Sequence, residues 1–590
     1  MSRVPSGKIL KVVVHQRQKN GDIYVVERDT RYDPAKKYNV ILKTRLLCKI
    51  PKGASDPVPT RPRKKPISCR SAEEAEACTD ACTGIEASCM RTGLEAVLSH
   101  VGRASGVDGA VWRAMEPGDA LKAVSIARYI VATDGGPLPE IEEWQLRHEL
   151  PYRDGISEDV YHRLFEDLGC SETARQKLFV ALNEGSDAKD GIFYDSTTVS
   201  TYSKNIDGSR IGFNKDKDGL PVLRILTFYS YKHNKPVAYA LQPGNISDKA
   251  SIPEAIGQIN CLNIKKITLV TDTGFTCQKN IVAYIKNNIP FLTLVPSSWV
   301  WIREHVDKQL DNLENINSLI QMHGEDDVDI KGTTVKDMHD FTWERKNNYK
   351  DKKKGEQEII NKKVYIHIYK SKARNTASCD DFTIKIKKLQ SLIENDEELT
   401  DAQINMRDEF FIVEKKHGKI IAKIDNEKYQ HSIQRKGIFV TISTSIKDTK
   451  EALEYYRKRE WIENFFKMYK DDAGGKKPRV WKYETYKGRV MVQFISMCYY
   501  SWLYNKIGEL KKTLGKENGD KRHDLQVNLD AEKDLLKWLN KMSLHRILLY
   551  FDAYETVKVN KNNKRISSWS TATTERDRLF LKKIGMKLRS

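Results

Sequence analysis

The chain has 590 residues, of which 31% are charged and 39% hydrophobic, and these values indicate a folded protein of several domains and exclude a disordered chain or a small stapled scaffold. Lys and Arg number 100 against 80 Asp and Glu, and the resulting net charge of +20 favours nucleic acid as the partner over an indifferent basic surface. Ten irregularly spaced cysteines, the absence of a signal-peptide pattern and the absence of a bilayer-length apolar stretch predict a cytoplasmic protein without a membrane partner.

Residues 1–65 are predicted to form a β-rich N-terminal module, because side-chain character alternates with a period of two in "GDIYVVERDTRY" and "YNVILKTRLLCKI". The proline-rich and basic stretch "DPVPTRPRKKP" then predicts a linker. Residues 66–186 have the spacing of amphipathic helices separated by Gly- and Pro-containing breakers. We expect a helical domain there, and both N-terminal parts are candidates for DNA binding.

The sequence pattern changes from that of helices to that of short strands at residue 187. Between 187 and 296 the pattern gives three strands, a helix, a strand, a helix and a further strand. This order predicts a mixed sheet covered by helices, and therefore an α/β fold.

Residues 297–445 combine charged runs with apolar strands such as "KKVYIHIYK". Connections inside a compact domain usually take only a few residues, so this long segment predicts a β-rich insertion domain. Residues 446–510 return to the core and include "VMVQFISMCYYSWLY", which is predicted to be a buried helix. Residues 511–590 are predicted to form a helical C-terminal tail, with dimerisation as a candidate role.

Two aspartates are candidate catalytic groups, because each follows an apolar strand. Asp195 comes after "GIFY" and Asp272 after "ITLV", and both are predicted to lie where a strand ends. Neighbouring strand ends meet at one rim of a sheet, and two carboxylates brought together there repel unless a cation lies between them. Oxygen ligands favour magnesium or manganese over zinc. For either aspartate alone, the alternative is a turn residue bonded to nearby backbone amides.

A helix is predicted over "YYRKREWIENFFKMYK". At about 100° per residue, Tyr456, Arg459, Glu463 and Lys470 fall within an arc of roughly 60° on its polar face, opposite an apolar face that can bury against the sheet. Glu460 also lies near the polar face, so periodicity does not choose between the two glutamates. A solvated helix face remains the alternative.

Three carboxylates around two metal ions would polarise a phosphodiester, activate a water or a 3′-hydroxyl and stabilise the leaving oxygen. Arg459 and Lys470 would then contact phosphate oxygens, and Tyr456 would donate a hydrogen bond.

The spacing of Tyr456, Arg459, Glu463 and Lys470 resembles the YREK signature of insertion-sequence DDE transposases. "YDSTTV" and "TDTGFTCQKNI" resemble the first and second aspartate motifs of that family, although Thr273 stands where many relatives carry arginine. "RVWKYETYKGRVMVQFI" and the β-rich N-terminus are similar to the insertion-sequence-4 type and its 1634-type branch. On this resemblance the third carboxylate is Glu463.

The resemblance implies a ribonuclease-H-like catalytic core, formed by 187–296 and 446–510 and interrupted by the β-rich insertion. It implies that Asp195, Asp272 and Glu463 hold two Mg²⁺ or Mn²⁺ ions. Related enzymes stack an aromatic side chain of the insertion on a DNA base. Phe439 occupies the similar place here, with Trp299 and Trp301 as rivals whose alternative is packing inside the insertion.

The function implied is a DNA transposase acting in the cytoplasm of a prokaryotic cell, associated with its nucleoid. It would bind the terminal inverted repeats of its own element and a target DNA as a homodimer in a synaptic complex, and would cut and join strands through a hairpin intermediate. Two alternatives stay open: a stand-alone ribonuclease-H-like metal nuclease, and a domesticated DNA-binding protein that no longer cuts.

Overall fold

The computed structural model divides into two compact units, Met1–Glu86 and Ala87–Ser590. Most of the predicted linker, and the predicted domain boundaries at 65/66 and 186/187, lie outside the described residues. The described residues are 9–18, 22–33, 38–50, 52, 58–59, 85–184, 191–261, 267–320, 330–344, 355–416, 419–514, 523–561 and 564–586.

The first unit contains a sheet in which each strand is antiparallel to the next one along the chain. The alternating patterns of the sequence lie in its second and third strands, and the short fourth strand falls inside the predicted linker. The strands are β1 (Ile9–Arg17), β2 (Ile23–Asp33), β3 (Tyr38–Ile50) and β4 (Val58–Pro59).

A further strand leads into a helical region whose apolar faces form one end of the main core. Its helices have the amphipathic spacing expected from the sequence. The elements are β5 (Ile85–Arg91), α1 (Gly93–Ala104), α2 (Val107–Ala114), α3 (Pro117–Thr133), α4 (Ile141–Trp144), α5 (Glu158–Cys170) and α6 (Glu172–Asn183).

The mixed sheet predicted from the sequence is present, with strands and helices in the predicted order. The described residues between 187 and 296 form five strands. Counted in chain order, the first of these five pairs antiparallel with the second and parallel with the fourth, and the fourth pairs parallel with the fifth. The elements are β6 (Gly191–Ser200), β7 (Val222–Ser230), β8 (Lys235–Pro243), α7 (Ile252–Cys261), β9 (Thr268–Thr271), α8 (Gln278–Lys286) and β10 (Phe291–Val295).

The segment 297–445 is divided between the central sheet with its main core and a separate smaller core. Its first two strands and its last extend the central sheet beyond β10, its first helix packs on the main core, and its residues from 372 to 434 surround a separate small core that includes Ile386 and Leu389. The elements are α9 (Val300–Glu314), β11 (Ile330–Glu344), β12 (Gln357–Ser371), α10 (Lys372–Glu394), α11 (Asp401–Phe410), β13 (Phe411–Lys416), β14 (Lys419–Ile424), α12 (Asn426–Gln434) and β15 (Ile438–Ser443).

The central sheet thus has eight strands in the order β11-β12-β15-β10-β9-β6-β7-β8. β15 is antiparallel to β10 on one side and to β12 on the other. The elements that follow it are α13 (Thr449–Arg457), α14 (Glu460–Asp471), α15 (Tyr483–Thr513), α16 (His523–Lys541), α17 (Leu544–Asp552), β16 (Glu555–Lys561), β17 (Lys564–Ser570) and α18 (Glu575–Lys583).

The apolar stretch predicted to be a buried helix lies in α15, where nearly every side chain from Val490 to Leu503 is buried. Gly488 lets this helix approach α5 closely, since a Cβ atom there would overlap the carbonyl oxygen of Phe165. None of the helices in the described ranges is long and apolar enough to cross a membrane.

The prediction of a single helix over residues 455–470 is wrong, because the chain forms two helices with a break at Lys458 and Arg459. The amides of Arg459 and Ile462 donate to carbonyl oxygens three residues back rather than four, which tightens the turn. The apolar face of α14 still packs as predicted, with Ile462 and Phe465 buried and the ring of Phe465 edge-on to Tyr229 of β7.

Candidate active site

Asp195 lies in the middle of β6, so the prediction that it stands at a strand end is wrong. β6 continues to Ser200, because Ser and Thr side chains fit a buried strand and β7 pairs with it along its whole length. The strand that ends here is the other neighbour, β9. The parallel register matches Phe193 with Val270, and two residues further along each chain stand Asp195 and Asp272.

Asp272 directly follows β9, as predicted. Its Oδ1 atom accepts a hydrogen bond of 2.7 Å from the amide of Thr273, and Asp195 Oδ1 accepts one of the same length from Ser196. Each aspartate therefore makes the local backbone contact that a turn residue would make. That contact occupies one carboxylate oxygen and leaves Oδ2 for other partners.

The Oδ2 atoms of both aspartates face the guanidinium of Arg459. Nη1 lies 3.4 Å from Asp195 Oδ2 and 3.3 Å from Asp272 Oδ2, while Nη2 donates to Glu463 Oε1 at 2.6 Å. The structure thus brings all three predicted carboxylates together around one arginine. Glu460 is exposed and does not line the pocket that the three share.

Tyr456 completes this cluster from the last turn of α13. Its hydroxyl donates to Asp272 Oδ1 at 3.3 Å, and its ring is buried. Burial, followed by the charge of Asp272, raises the pKa of the Tyr456 hydroxyl. The phenol therefore stays protonated at neutral pH and acts as a donor.

Burial also raises the pKa of Asp195 from 3.8 to about 6, although Lys215, the amide of Ser196 and Arg459 oppose this effect. For Arg459, burial lowers the pKa, but the surrounding Asp272, Tyr456, Asp195 and Glu463 outweigh it and the pKa is raised. The arginine is therefore held in its charged form by the groups that it joins.

Asp195, Asp272, Arg459 and Glu463 line an open pocket of about 460 Å³. Lys215 and Asp248 are among the pocket residues that were not identified from the sequence. Lys215 donates to the carbonyl oxygen of Ser196, and Asp248 accepts from the Ser196 hydroxyl at 2.7 Å and pairs with the buried Arg224. Both come from connections between strands, and no local pattern marks them, because only the folded sheet brings them to the aspartates.

The other predicted DNA contacts are placed as follows. Lys470 lines the pocket and forms a 3.3 Å ion pair with Asp216. Phe439 is half-buried, stacks on Tyr369 at a centroid distance of 4.9 Å and is covered by the guanidinium of Arg374.

Trp299 and Trp301 are half-buried against the main core, and Trp301 stacks on His339 at 3.8 Å. Like Phe439, neither tryptophan is among the residues that line the carboxylate pocket.

The donor set of the pocket fits a divalent cation of the magnesium type, since all three carboxylates present oxygen. Both Oδ2 atoms already share a cationic nitrogen of Arg459, so a positive charge is accommodated between them. As they stand, no three His, Cys, Asp or Glu side chains among the described residues are arranged to hold a metal ion. A cation would therefore require the guanidinium to move aside.

Comparison with known proteins gives one family. The model of the transposase DDE domain matches residues 186–498, and DDE transposase domains in general depend on divalent metal ions. No curated protein matches the chain. A cryo-electron microscopy structure of a piggyBac transposase synaptic complex with hairpin DNA shares 10% sequence identity over 78% of this chain and 77% of that chain, at a TM-score of 0.29, too low to support an argument.

Proposed function

Because the chain belongs to the transposase DDE domain family, we propose that it is a transposase that binds the terminal inverted repeats of its own insertion sequence, cuts DNA there and joins the freed end to a target. The observation that carries the proposal is the meeting of Asp195, Asp272 and Glu463 on the guanidinium of Arg459. Asp195 and Asp272 are far from Arg459 in sequence, so their contacts with its guanidinium are long-range, and Glu463 joins them by an ion pair with Arg459 across one helical turn.

The proposed catalytic core is ribonuclease-H-like, formed by 187–296 and 446–510 and interrupted by 297–445. The mixed strand directions around β6 support this proposal, as does the position of Asp195 beside the end of β9. Residues 1–65 and 66–186 are proposed to bind DNA ends, and 511–590 to serve dimerisation. Membership of the insertion-sequence-4 type and its 1634-type branch is also proposed, on the similarity of "RVWKYETYKGRVMVQFI" and the β-rich N-terminus to that group.

Asp195, Asp272 and Glu463 are the proposed ligands of two Mg²⁺ or Mn²⁺ ions. When bound, the ions would polarise the phosphodiester and lower the pKa of the attacking hydroxyl. Arg459, released from the carboxylates, would turn its two donor nitrogens toward phosphate oxygens, and Lys470 at the other end of α14 would add a point charge. Tyr456 would hold Asp272 Oδ1 in place through its hydroxyl.

The wider proposal is a homodimer that holds two element ends in a synaptic complex, acts on nucleoid DNA in the cytoplasm of a prokaryotic cell and passes through a hairpin. The excess of basic residues supports attraction to DNA. Base stacking by Phe439 or Trp299 remains a prediction, since neither lines the pocket.

The test uses the DNA that flanks the gene, with Mg²⁺, and follows both cut ends and joined products. We expect wild-type protein to cut and join, and Asp195→Asn and Glu463→Gln to bind DNA without cutting. Glu460→Gln is the matched control, because it removes a carboxylate three residues from Glu463 but outside the pocket, and it should retain activity.

The products separate the rival functions. Cut fragments that are never joined, even from a pre-cut 3′-hydroxyl end, would identify a stand-alone nuclease. Specific DNA binding with no metal-dependent cutting would identify a domesticated DNA-binding protein. Cutting that survives Asp195→Asn would reject the proposed site.

A further inference from the structure

Three aromatic side chains are turned toward solvent on two connections that include or directly follow residues lining the carboxylate pocket. Tyr202, Phe213 and Trp481 are 77%, 70% and 73% exposed, and we call them the aromatic rim. The first two lie in the connection between β6 and β7, and Trp481 lies in the connection between α14 and α15. Aromatic residues are usually well buried, so three such exposed rings indicate a binding surface.

The two connections are tied together by specific contacts. Lys477 forms a 3.1 Å ion pair with Asp218 and places its ammonium 4.9 Å from the centroid of the Tyr202 ring. The hydroxyl of Ser203 donates to the carbonyl oxygen of Trp481 at 3.4 Å. The rim is therefore presented by segments whose polar groups are already engaged.

The connection between β6 and β7 is also packed on the sheet. The backbone of Arg210 pairs with that of Val222, and Gly212 lies so close to Gly244 that a Cβ atom would overlap its carbonyl oxygen. Asn214 donates to the hydroxyl of Ser200, at the end of β6. Phe213 thus extends from a constrained backbone, which keeps the entropy cost of binding through its ring low.

The same segment reaches the proposed catalytic carboxylates. Lys215, two residues after Phe213, lines the pocket and donates to the carbonyl oxygen of Ser196, next to Asp195. Asp216 pairs with Lys470, which also lines the pocket. The connection that carries Tyr202 and Phe213 therefore also forms part of the pocket wall.

The charges around the rim favour a polyanion. Residues 474–482 contain Lys476, Lys477, Arg479 and Lys482 and no acidic residue. Asp216 and Asp218, the acidic residues nearest to Phe213, are each paired with a lysine. Flat aromatic faces interleaved with cations suit nucleic-acid strands whose bases are free to stack.

We propose that the aromatic rim binds unpaired nucleotides of the DNA strand whose phosphodiester lies in the carboxylate pocket. This proposal rests on the proposed function and adds a site for bases to it. The bases must be unpaired, because in a duplex their faces are covered by neighbouring base pairs. Tyr202, Phe213 and Trp481 supply the stacking surfaces, and Lys476 and Arg479 supply contacts to the backbone phosphates, since Lys477 is paired with Asp218 and Lys482 with Glu166.

The test measures binding by the full chain without divalent metal, so that no cutting is involved. The probes are a single-stranded oligothymidylate and a blunt duplex of equal length, followed by anisotropy, and a single strand containing 2-aminopurine, whose fluorescence falls when the base stacks. We expect Trp481→Ala to weaken single-strand binding about tenfold, as for the loss of one stacked base, and to remove much of the quenching. Trp481→Phe should restore most of the single-strand affinity and most of the quenching. Duplex binding should change little in either variant.

Trp569→Ala is the matched control, because Trp569 is similarly exposed, at 56%, on β17 in the C-terminal sheet. The proposal is overturned if Trp481→Ala and Trp569→Ala bind the single strand equally well. It is also overturned if Trp481→Ala instead lowers the oligomeric mass in sedimentation and leaves single-strand binding intact, since the rim would then be a protein contact.

The binding readout separates this proposal from the proposed function. If the protein never cuts DNA but loses single-strand binding with Trp481→Ala, the rim is supported and the transposase proposal fails. If the protein cuts and joins DNA while rim variants bind single strands like wild type, only the rim proposal fails.

Discussion

Arg459 and Glu463 are joined by a 2.6 Å ion pair across one turn at the start of α14, and the same guanidinium meets the two aspartates of the sheet. One cationic side chain therefore offsets part of the repulsion among three carboxylates. Arg459 is 18% exposed and Glu463 is 52% exposed, so the glutamate is the member of the cluster that is most open to solvent.

Asp195→Asn should stabilise the metal-free protein at neutral pH. The pKa of Asp195 is about 6 in the folded chain against an ordinary 3.8, so the folded chain keeps a proton that the unfolded chain has lost. Its contribution to stability is therefore fully present below pH 3.8 and is lost as pH rises through about 6. Asn cannot ionise, so the variant should gain about 1–3 kcal/mol relative to wild type across this interval.

Melting temperatures of the two proteins, measured with chelator between pH 4 and pH 8, check this expectation. The difference in favour of the variant should grow with pH and then level off. Glu460→Gln, which neutralises an exposed carboxylate, should show no such growth. A difference that stays flat or shrinks with rising pH would contradict the assigned burial of Asp195.

Divalent metal should stabilise the wild-type chain. A cation held by the three carboxylates binds the folded state alone, and at a concentration one hundred times its Kd the gain is about 2.7 kcal/mol. Mg²⁺ or Mn²⁺ should therefore raise the melting temperature of wild type, raise that of Glu463→Gln less, and leave that of Asp195→Asn nearly unchanged. Equal shifts in all three proteins would argue for metal binding elsewhere.

The Arg459→Ala variant should bind metal more tightly than wild type but cut DNA more slowly. The guanidinium competes with a cation for Asp195 Oδ2 and Asp272 Oδ2, so its removal leaves both oxygens free. A Mn²⁺ titration by calorimetry should show a lower Kd, while strand cutting should fall because a phosphate contact is lost. An unchanged or weaker Mn²⁺ affinity would show that Arg459 does not occupy the cation position.

Gly488→Ala should destabilise the protein by about 1–3 kcal/mol or more, because the new Cβ atom would overlap the carbonyl oxygen of Phe165 and push α15 away from α5. Gly508→Ala, on the same helix with no atom within 4 Å of the added carbon, should instead stabilise it by up to about 1 kcal/mol. Thermal unfolding of both variants compares the two. Similar melting temperatures would contradict the close approach of the helices.

The sequence predicted which carboxylates meet better than it predicted the local structure around them. Period-two strands and the strand-to-loop change at Asp272 could be read from apolar patterning, and the YREK spacing selected Glu463. The position of Asp195 in the middle of a strand could not be predicted from the sequence, because it depends on β7 pairing with β6 beyond the point where β9 stops. Lys215 and Asp248 enter the pocket through long-range contacts that leave no local periodicity.

The helix break at Lys458 and Arg459 was also missed, for a different reason. Neither residue is a helix breaker, and the apolar spacing continues across them. The turn tightens where Arg459 meets the carboxylates of the sheet. The helix break therefore coincides with tertiary contacts, which helix propensity does not predict.

The placement of β15 links the segment 297–445 to the third carboxylate. β15 is bonded on one side to the long hairpin partner β12 and on the other to β10, and only residues 444–448 separate it from α13, which carries Tyr456. Deleting 297–445 would therefore leave β10 as an unpaired edge of the central sheet and would remove the strand that leads into α13. The segment is therefore part of the framework of the sheet that carries Asp195, and it is not a separable appendage.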